Sequence, residues 1–448
     1  MISLARKLRL ADFFSLGFGT MIGVGWLVVM DDWLRRGGPL GAILGFALGG
    51  ALLLPIGYVY GQLVRAMPDA AGEIAYTAAV FPRSISFATG WMMLLAYYIV
   101  CPWEAVAIGR IASYIFPAMN SFELYRVAGK PVFLPHLLIG LALTALLTVM
   151  NYRGIRMSAS FQNVTAFGAI ALVATFIVAG LRHGSTQNFQ PLFSASAPVS
   201  ILLVLQVVPY FMTGFESIGK ASEEASSQFQ PRRFLLAIMT AMLVGIGFYV
   251  CVIAATAYVA PWQGLLHERF ATAVAFERAV GTRWIVSVIM CAAVLSLLEV
   301  FNGNFVAATR LLFALGRRGL ADSQLGYVHP NNRTPAVAVV SIGIFTAVCM
   351  FAGESILVPI AEVGSLASAL GWMAACASYL RMQTCAFGRV AAITGILVTG
   401  LLLAMKILPT VPGHFSIYEW IALALWIVLG LLLRRRGVAE AAVVPGNV

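Results

Sequence analysis

Residues 15–27 read SLGFGTMIGVGWL, an uncharged run carrying four glycines, Gly17, Gly19, Gly23 and Gly25. Each glycine lowers helix propensity by about 1 kcal/mol relative to alanine, so four in one apolar stretch need a physical reason. Either they let a neighbouring backbone approach closely, or they let this backbone leave the helix. The four-residue spacing of Gly19 and Gly23 suits a packing face, whereas the second reading predicts an interruption at residues 22–25.

The chain around this segment has 448 residues, 60% hydrophobic and only 10% charged. A soluble domain carries roughly 25% charge, so the composition indicates a polytopic integral membrane protein in a lipid bilayer. Apolar stretches recur at about 12–30, 40–62, 84–110, 134–150, 158–181, 200–219, 234–258, 284–308, 335–352, 357–380, 387–408 and 416–433. Most reach the ~20 residues that a helix needs to cross the hydrocarbon, which predicts twelve spans. The basic amino-terminal flank runs straight into the first of them with no early small-x-small site, as in a first membrane helix rather than a cleaved signal peptide.

The net charge of +11 comes from 29 Lys and Arg against 18 Asp and Glu. The basic residues sit in short loops and tails, not in patches interleaved with aromatics, so the excess reads as topology and not as a nucleic-acid footprint. About twice as many fall on the amino-terminal side as on the other, which predicts both termini in the cytoplasm, a plasma (inner) membrane protein and a cytoplasmic tail at 434–448. The six cysteines have no metal-ligand spacing and read as buried small hydrophobes, with neither a metal nor a cofactor expected.

A second irregular span lies five spans after the first. PYFMTGFESIGKASEE, residues 209–224, places Pro209, Gly214 and Gly219 in an apolar helix with the charged Glu216 near its end. Two discontinuous helices five apart are what a five-helix repeat produces. The expected fold is all-α, with twelve transmembrane helices, discontinuous helices 1 and 6, and a leucine-transporter-like inverted repeat. Residues 1–181 would form one repeat and 200–380 the other, with 387–433 outside both.

Several of these motifs resemble one family. GTMIGVGWL, residues 19–27, is similar to the first-helix motif of the amino acid/polyamine/organocation permeases, commonly G-x-x-I-G-S-G-I-F. FMTGFES resembles that family's F-x-G-F-E segment, and Glu223, Glu224 and Pro231 resemble the loop that follows it. NGNFVAATRLLFALGRRGLAD from Asn302, with RTPAVAV from Arg333, resembles the family's eighth helix and the Thr-Pro before its ninth. The order of the motifs over about 400 residues is more specific than any one of them. Val24 stands where the family commonly has Ser or Thr, and the second proline usual before Ala237 is missing.

If the first span is interrupted, its free amides can bind a carboxylate and its unwound carbonyls an ammonium. The expected substrate cradle is Ile22, Gly23, Val24, Gly25 and Trp26 with Tyr210, Phe211, Thr213 and Gly214. The resemblance places Tyr210 at an outward-facing aromatic gate. Acids within a membrane are costly unless paired, hydrated or protonated, so Glu299 and then Glu104 are the candidates for proton coupling. A structural hydrogen bond with Asn302, Asn304 or another helix is the plainer alternative for these acids. Arg310 can pair with Glu216, Glu223 or Glu224 as an inner gate, or simply solvate a helix end.

The resulting expectation is a permease, not an enzyme, importing a small amino acid or amine by alternating access, as one copy or a homodimer. No Walker A sequence is present, so coupling to an ion gradient is expected, with the proton ahead of sodium. Exchange is the nearer rival, and a channel the more distant one, since no repeated pore-loop filter is visible.

Overall fold

The computed structural model describes residues 3–434 except 269, 383–384 and 412–413, with the backbone alone at 354–361. The predicted tail at 434–448 therefore lies outside the described residues apart from Arg434.

The chain is a bundle of long apolar helices, numbered here in chain order. Helix 1 is Leu10–Val28, helix 2 Met30–Ala66, helix 3 Arg83–Ile115, helix 4 Leu134–Arg153 and helix 5 Ile155–Gly180. Helix 6 is a pair, Ala197–Leu205 and Val208–Lys220, bent by 43°. Helix 7 is Arg232–Val259 and helix 8 Arg283–Arg317. Helix 9 is Ala336–Met350, helix 10 Gly353–Arg381, helix 11 Ala386–Ile407 and helix 12 Ile417–Leu433. Among the described residues nine helices are long and apolar enough to cross a membrane, or ten if the bent pair is one span. Helices 9 and 12 are apolar but shorter, at 15 and 17 residues. The protein is thus a multi-pass membrane protein built from α-helices.

One element was not anticipated. Glu123–Val127 and Lys130–Phe133 pair as an antiparallel hairpin between helices 3 and 4. Ala128 and Gly129 turn it with φ of 46° and 80°, the left-handed geometry of a two-residue hairpin loop.

Glycine sets the packing of helix 2. A Cβ on Gly45 would stand 2.7 Å from Val204 of helix 6, and one on Gly49 would stand 2.9 Å from Val208. Gly50, Gly57 and Gly61 meet Ile246, Met242 and Leu235 of helix 7 equally tightly. With no hydrophobic drive between helices in lipid, such close backbone approach is what favours association.

Helix 1 is central, with every residue from Ser15 to Met21 buried. The cysteine expectation holds for Cys101 and Cys376 only; Cys251 and Cys291 are exposed on their helices and Cys385 is exposed at the start of helix 11. An apolar exterior next to lipid accepts a thiol as readily as the core does.

Candidate functional site

Helix 1 stops at Met21 and resumes at Gly25, so Ile22, Gly23 and Val24 are not helical. Helix 6 breaks between Met212 and Ser217, where Gly214 takes a φ of 135° that only glycine adopts easily. The two breaks lie against each other. A Cβ on Gly214 would stand 2.6 Å from the carbonyl carbon of Thr20. Tyr249 of helix 7 ties them together, its hydroxyl 3.1 Å from the Met21 carbonyl and 3.4 Å from that of Phe211. Asn304 of helix 8 donates to the Val300 carbonyl at 2.7 Å and reaches the Thr20 carbonyl at 3.5 Å. Carbonyls left over at the end of the first half-helix are thereby met by side chains, while the amides of Gly23, Val24 and Gly25 donate no hydrogen bond among the described residues.

These amides border a cavity of about 130 Å³. Helix 1 contributes Thr20, Gly23, Val24 and Gly25, helix 6 Tyr210, Phe211 and Thr213, and helix 8 Val300 and Asn304. Helix 3 adds Trp103, Glu104 and Arg110, and helix 10 adds Ser365 and Ser368. The cavity therefore gathers five helices distant in sequence around both interruptions.

Of the residues read from sequence, Gly23, Val24, Gly25, Tyr210, Phe211, Thr213 and Glu104 line it. Ile22, Trp26 and Gly214 do not. Ile22 is fully buried and turns toward Gly245 of helix 7. Trp26 stacks on Phe176 with ring centroids 5.7 Å apart and reaches the Ser296 hydroxyl at 3.4 Å. Gly214 is spent on the contact with Thr20.

The two acids part company. Glu104 is 4% exposed, lines the cavity, and its Oε2 has no hydrogen-bond partner among the described residues. Glu299 lies behind helix 1, outside the cavity, fully buried, with neither carboxylate oxygen hydrogen-bonded. Its Oε2 is 3.2 Å from where a Cβ on Gly19 would stand. Asn302 is taken by Asn151 at 3.0 Å and Gln162 at 2.7 Å, and Asn304 by the carbonyls already named, so neither serves Glu299. Gln162 of helix 5 fills the space beside it, donating to the Ser15 carbonyl at 3.3 Å and the Glu299 carbonyl at 3.0 Å.

On the amino-terminal face, ion pairs close the bundle. Arg310 forks onto Glu224, with Nε to Oε2 and Nη2 to Oε1 both at 3.0 Å and both side chains fully buried. Burial pushes the Glu224 carboxyl above the ordinary carboxylate value, with the Arg310 guanidinium opposing it. Glu223 pairs with Arg317, and Asp69 with Arg317 at 3.1 Å and Arg318 at 2.5 Å. Glu216 is not the partner of Arg310; its Oε2 accepts the Gly214 amide at 3.0 Å.

Sequence reading missed a further pair. Lys220 and Glu73 form a fully buried ion pair at 2.5 Å, with Tyr60 also donating to Glu73 at 2.7 Å. The ammonium lies 5.0 Å from the Tyr97 ring centroid. The available signal was a lysine directly after the sixth apolar stretch and four residues after Glu216, a residue type that is expensive at membrane depth without a partner.

Comparison with known proteins matches the sequence to a family. The amino acid permease family model matches residues 8–433, and the chain belongs to that family. It is 26% identical over 378 residues to the methylthioribose transporter of Bacillus subtilis, covering 82% of this chain and 79% of that one. It is 26% identical over 377 residues to a branched-chain amino acid permease of the same organism, covering 81% and 77%. To the chloroplastic cationic amino acid transporter 9 of Arabidopsis thaliana it is 30% identical over 341 residues, covering 73% of this chain and 58% of that longer one. These relatives are transporters, not enzymes.

Proposed function

We propose that this protein is a secondary active permease that imports a small amino acid or amine by alternating access, coupled to the proton gradient. The observation that carries this reading is the meeting of two broken helices, with three unpaired amides, around one cavity. Half-helix ends of this kind bind charged substrate groups at the bilayer midplane. Relatives named for amino acid transport support the substrate class, and the methylthioribose transporter shows that the family also hosts a different solute.

In this reading helices 9 and 12 also cross the membrane, giving twelve spans. Helices 1–5 and 6–10 are the inverted repeats, helices 11 and 12 lie outside them, and both termini are cytoplasmic in the plasma (inner) membrane. Tyr210 closes the cavity on the outer side. The Arg310 to Glu224 fork and the Lys220 to Glu73 pair hold the cytoplasmic side shut. Pairs that stay formed throughout would be structural, so a gate requires that they break during the cycle. Glu299 is the proton carrier, because an acid whose carboxylate oxygens accept no hydrogen bond and face no cation among the described residues is costly in charged form within a membrane.

Sealed proteoliposomes test the proposal. Accumulation of labelled substrate driven by an inward proton gradient is expected. Uptake that depends absolutely on internal substrate would make the protein an exchanger, sodium dependence would replace the proton, and ohmic current would make it a channel.

A further inference from the structure

Glu104 is the acid that the proton-coupling reading leaves without a task. It lines the cavity from within helix 3, 4% exposed, with Oε2 unpartnered among the described residues. Its Oε1 lies 3.3 Å from the Cβ position of Gly23, so the carboxylate is aimed at the break in helix 1. Arg110, the other charged lining residue, has a partner of its own. Around the acid the wall is apolar or aromatic, with Trp103, Phe211 and Val300 and the hydroxyls of Thr213 and Ser368.

Two kinds of group compete for the space in front of Gly23. The unpaired amides of residues 23–25 attract an anion, but an anion seated there stands beside the Glu104 carboxylate. Like charges a few ångströms apart in a water-poor site repel strongly. An ammonium meets the opposite situation: a buried carboxylate with open hydrogen-bonding capacity and aromatic side chains in the same cavity wall.

We propose that Glu104 is the counter-ion of the substrate's ammonium group, and that the site selects amine cations for which a carboxylate is unnecessary. This rests on the permease reading above and names the substrate class of that cavity. A neutral solute leaves the carboxylate buried and unmatched, and a zwitterion gains the ammonium contact but brings its carboxylate toward the same acid.

The test uses matched pairs on purified full-length protein: isoamylamine with leucine, phenethylamine with phenylalanine, and putrescine with ornithine, together with the neutral N-acetyl form of each monoamine. Equilibrium binding is expected for at least one amine, tighter than its parent amino acid, with the N-acetyl form losing affinity by about thirtyfold or more. Glu104→Gln should remove amine binding to the same extent and Glu104→Asp should retain part of it. Equal affinity for an amine and its N-acetyl form overturns the proposal, as does a uniform preference for the amino acids, an unaffected Glu104→Gln variant, or failure of every amine to bind. The matched-pair comparison needs no substitution, so a variant that folds poorly does not shield the idea. Counterflow of the bound amine in proteoliposomes separates the two readings. Glu104-dependent binding without counterflow removes transport and leaves the counter-ion standing. Counterflow of a neutral solute, unchanged in Glu104→Gln, does the reverse.

Discussion

Glu104 and Gly23 face each other across the break in helix 1, with the acid's Oε1 3.3 Å from the point at which a Cβ on Gly23 would stand. The glycine therefore does two things at once: it lets the helix stop, and it leaves room for a carboxylate against the exposed backbone. Gly25 is under a harder constraint, because a Cβ there would run into the Phe211 ring of helix 6, with Cδ1 at 3.0 Å.

Replacement of Gly25 by leucine is accordingly expected to abolish substrate binding while the protein still inserts and elutes as the wild type does. Gly23→Ala should weaken binding less, since Glu104 and Val300 at 3.3 Å need yield only a few tenths of an ångström. Equilibrium affinity measured beside size-exclusion profiles checks both. Wild-type affinity in Gly25→Leu would take this segment out of the site.

Val24 lines the same cavity without a hydroxyl. Val24→Ser is expected to shift preference toward ordinary α-amino acids, because a hydroxyl supplies a directional donor and acceptor where only methyl groups stand. A panel of amines and amino acids measured on both proteins would show it, and an unchanged ranking would mean that residue 24 offers substrate only its backbone.

The breaks themselves were legible in the sequence because they are local: glycines and a proline in apolar runs disfavour continuous helix whatever surrounds them. The partners that make the breaks into a site were not. Tyr249 sits in GFYVCV, an apolar string with nothing to mark one tyrosine as bridging two interruptions. Glu73 and Lys220 are 147 residues apart, and charge type alone does not choose a partner at that separation. Trp26 and Ile22 were grouped with the cradle by adjacency, yet once a helix breaks, successive side chains leave in directions that sequence spacing does not fix. The hairpin at 123–133 was hidden for another reason, since a five-residue strand without clean alternation beside an Ala-Gly turn is a weak signal between two strong apolar runs.

The Lys220 to Glu73 pair has a measurable consequence. Lys220→Met leaves Glu73 buried without its cation, for which losses of about 3–5 kcal/mol are typical. A lower thermal midpoint is expected, and Glu73→Gln combined with Lys220→Met should recover part of it, because no charge is then stranded. A double variant no better than the sum of the two singles would show that the residues do not act as a pair.

Asp69, in the loop after helix 2, gives a pH dependence of definite sign. Burial pushes its carboxyl up, but the Arg318 guanidinium, the Ala71 amide and Arg317 together outweigh that and hold it below the ordinary value of 3.8. A carboxyl depressed in the folded state contributes stability that is complete above its unfolded value and drains away as pH falls from there through the folded value. The thermal midpoint of Asp69→Asn should thus lie below that of the wild type from pH 7 down to about 5, and the gap should close only below 3.8. The pairs are a third exposed, so the gap is on the order of 1 kcal/mol or less. A gap that closes already between pH 7 and 5 would assign the effect to another group.

In the proposed function, energy coupling turns on Glu299. Both its oxygens lack hydrogen-bond partners, and it packs against Gly19 on the half of helix 1 that ends at the substrate cavity. In that proposal a proton gained or lost there changes a charge directly behind the broken helix that borders the cavity, so that an acid outside the cavity would still couple to it. Glu299→Gln keeps the shape of the neutral acid and cannot exchange a proton. The variant is therefore expected to bind substrate and to support counterflow, while losing accumulation driven by an inward proton gradient. Glu104→Gln is the internal comparison, and it should fail earlier, at binding. Proton-driven uptake and counterflow measured in the same sealed proteoliposomes, with expression and orientation matched, separate the two outcomes. Full gradient-driven accumulation by Glu299→Gln would end its assignment. If Glu104→Gln then also accumulated normally, the coupling would have to lie with sodium, with another proton carrier or with plain exchange.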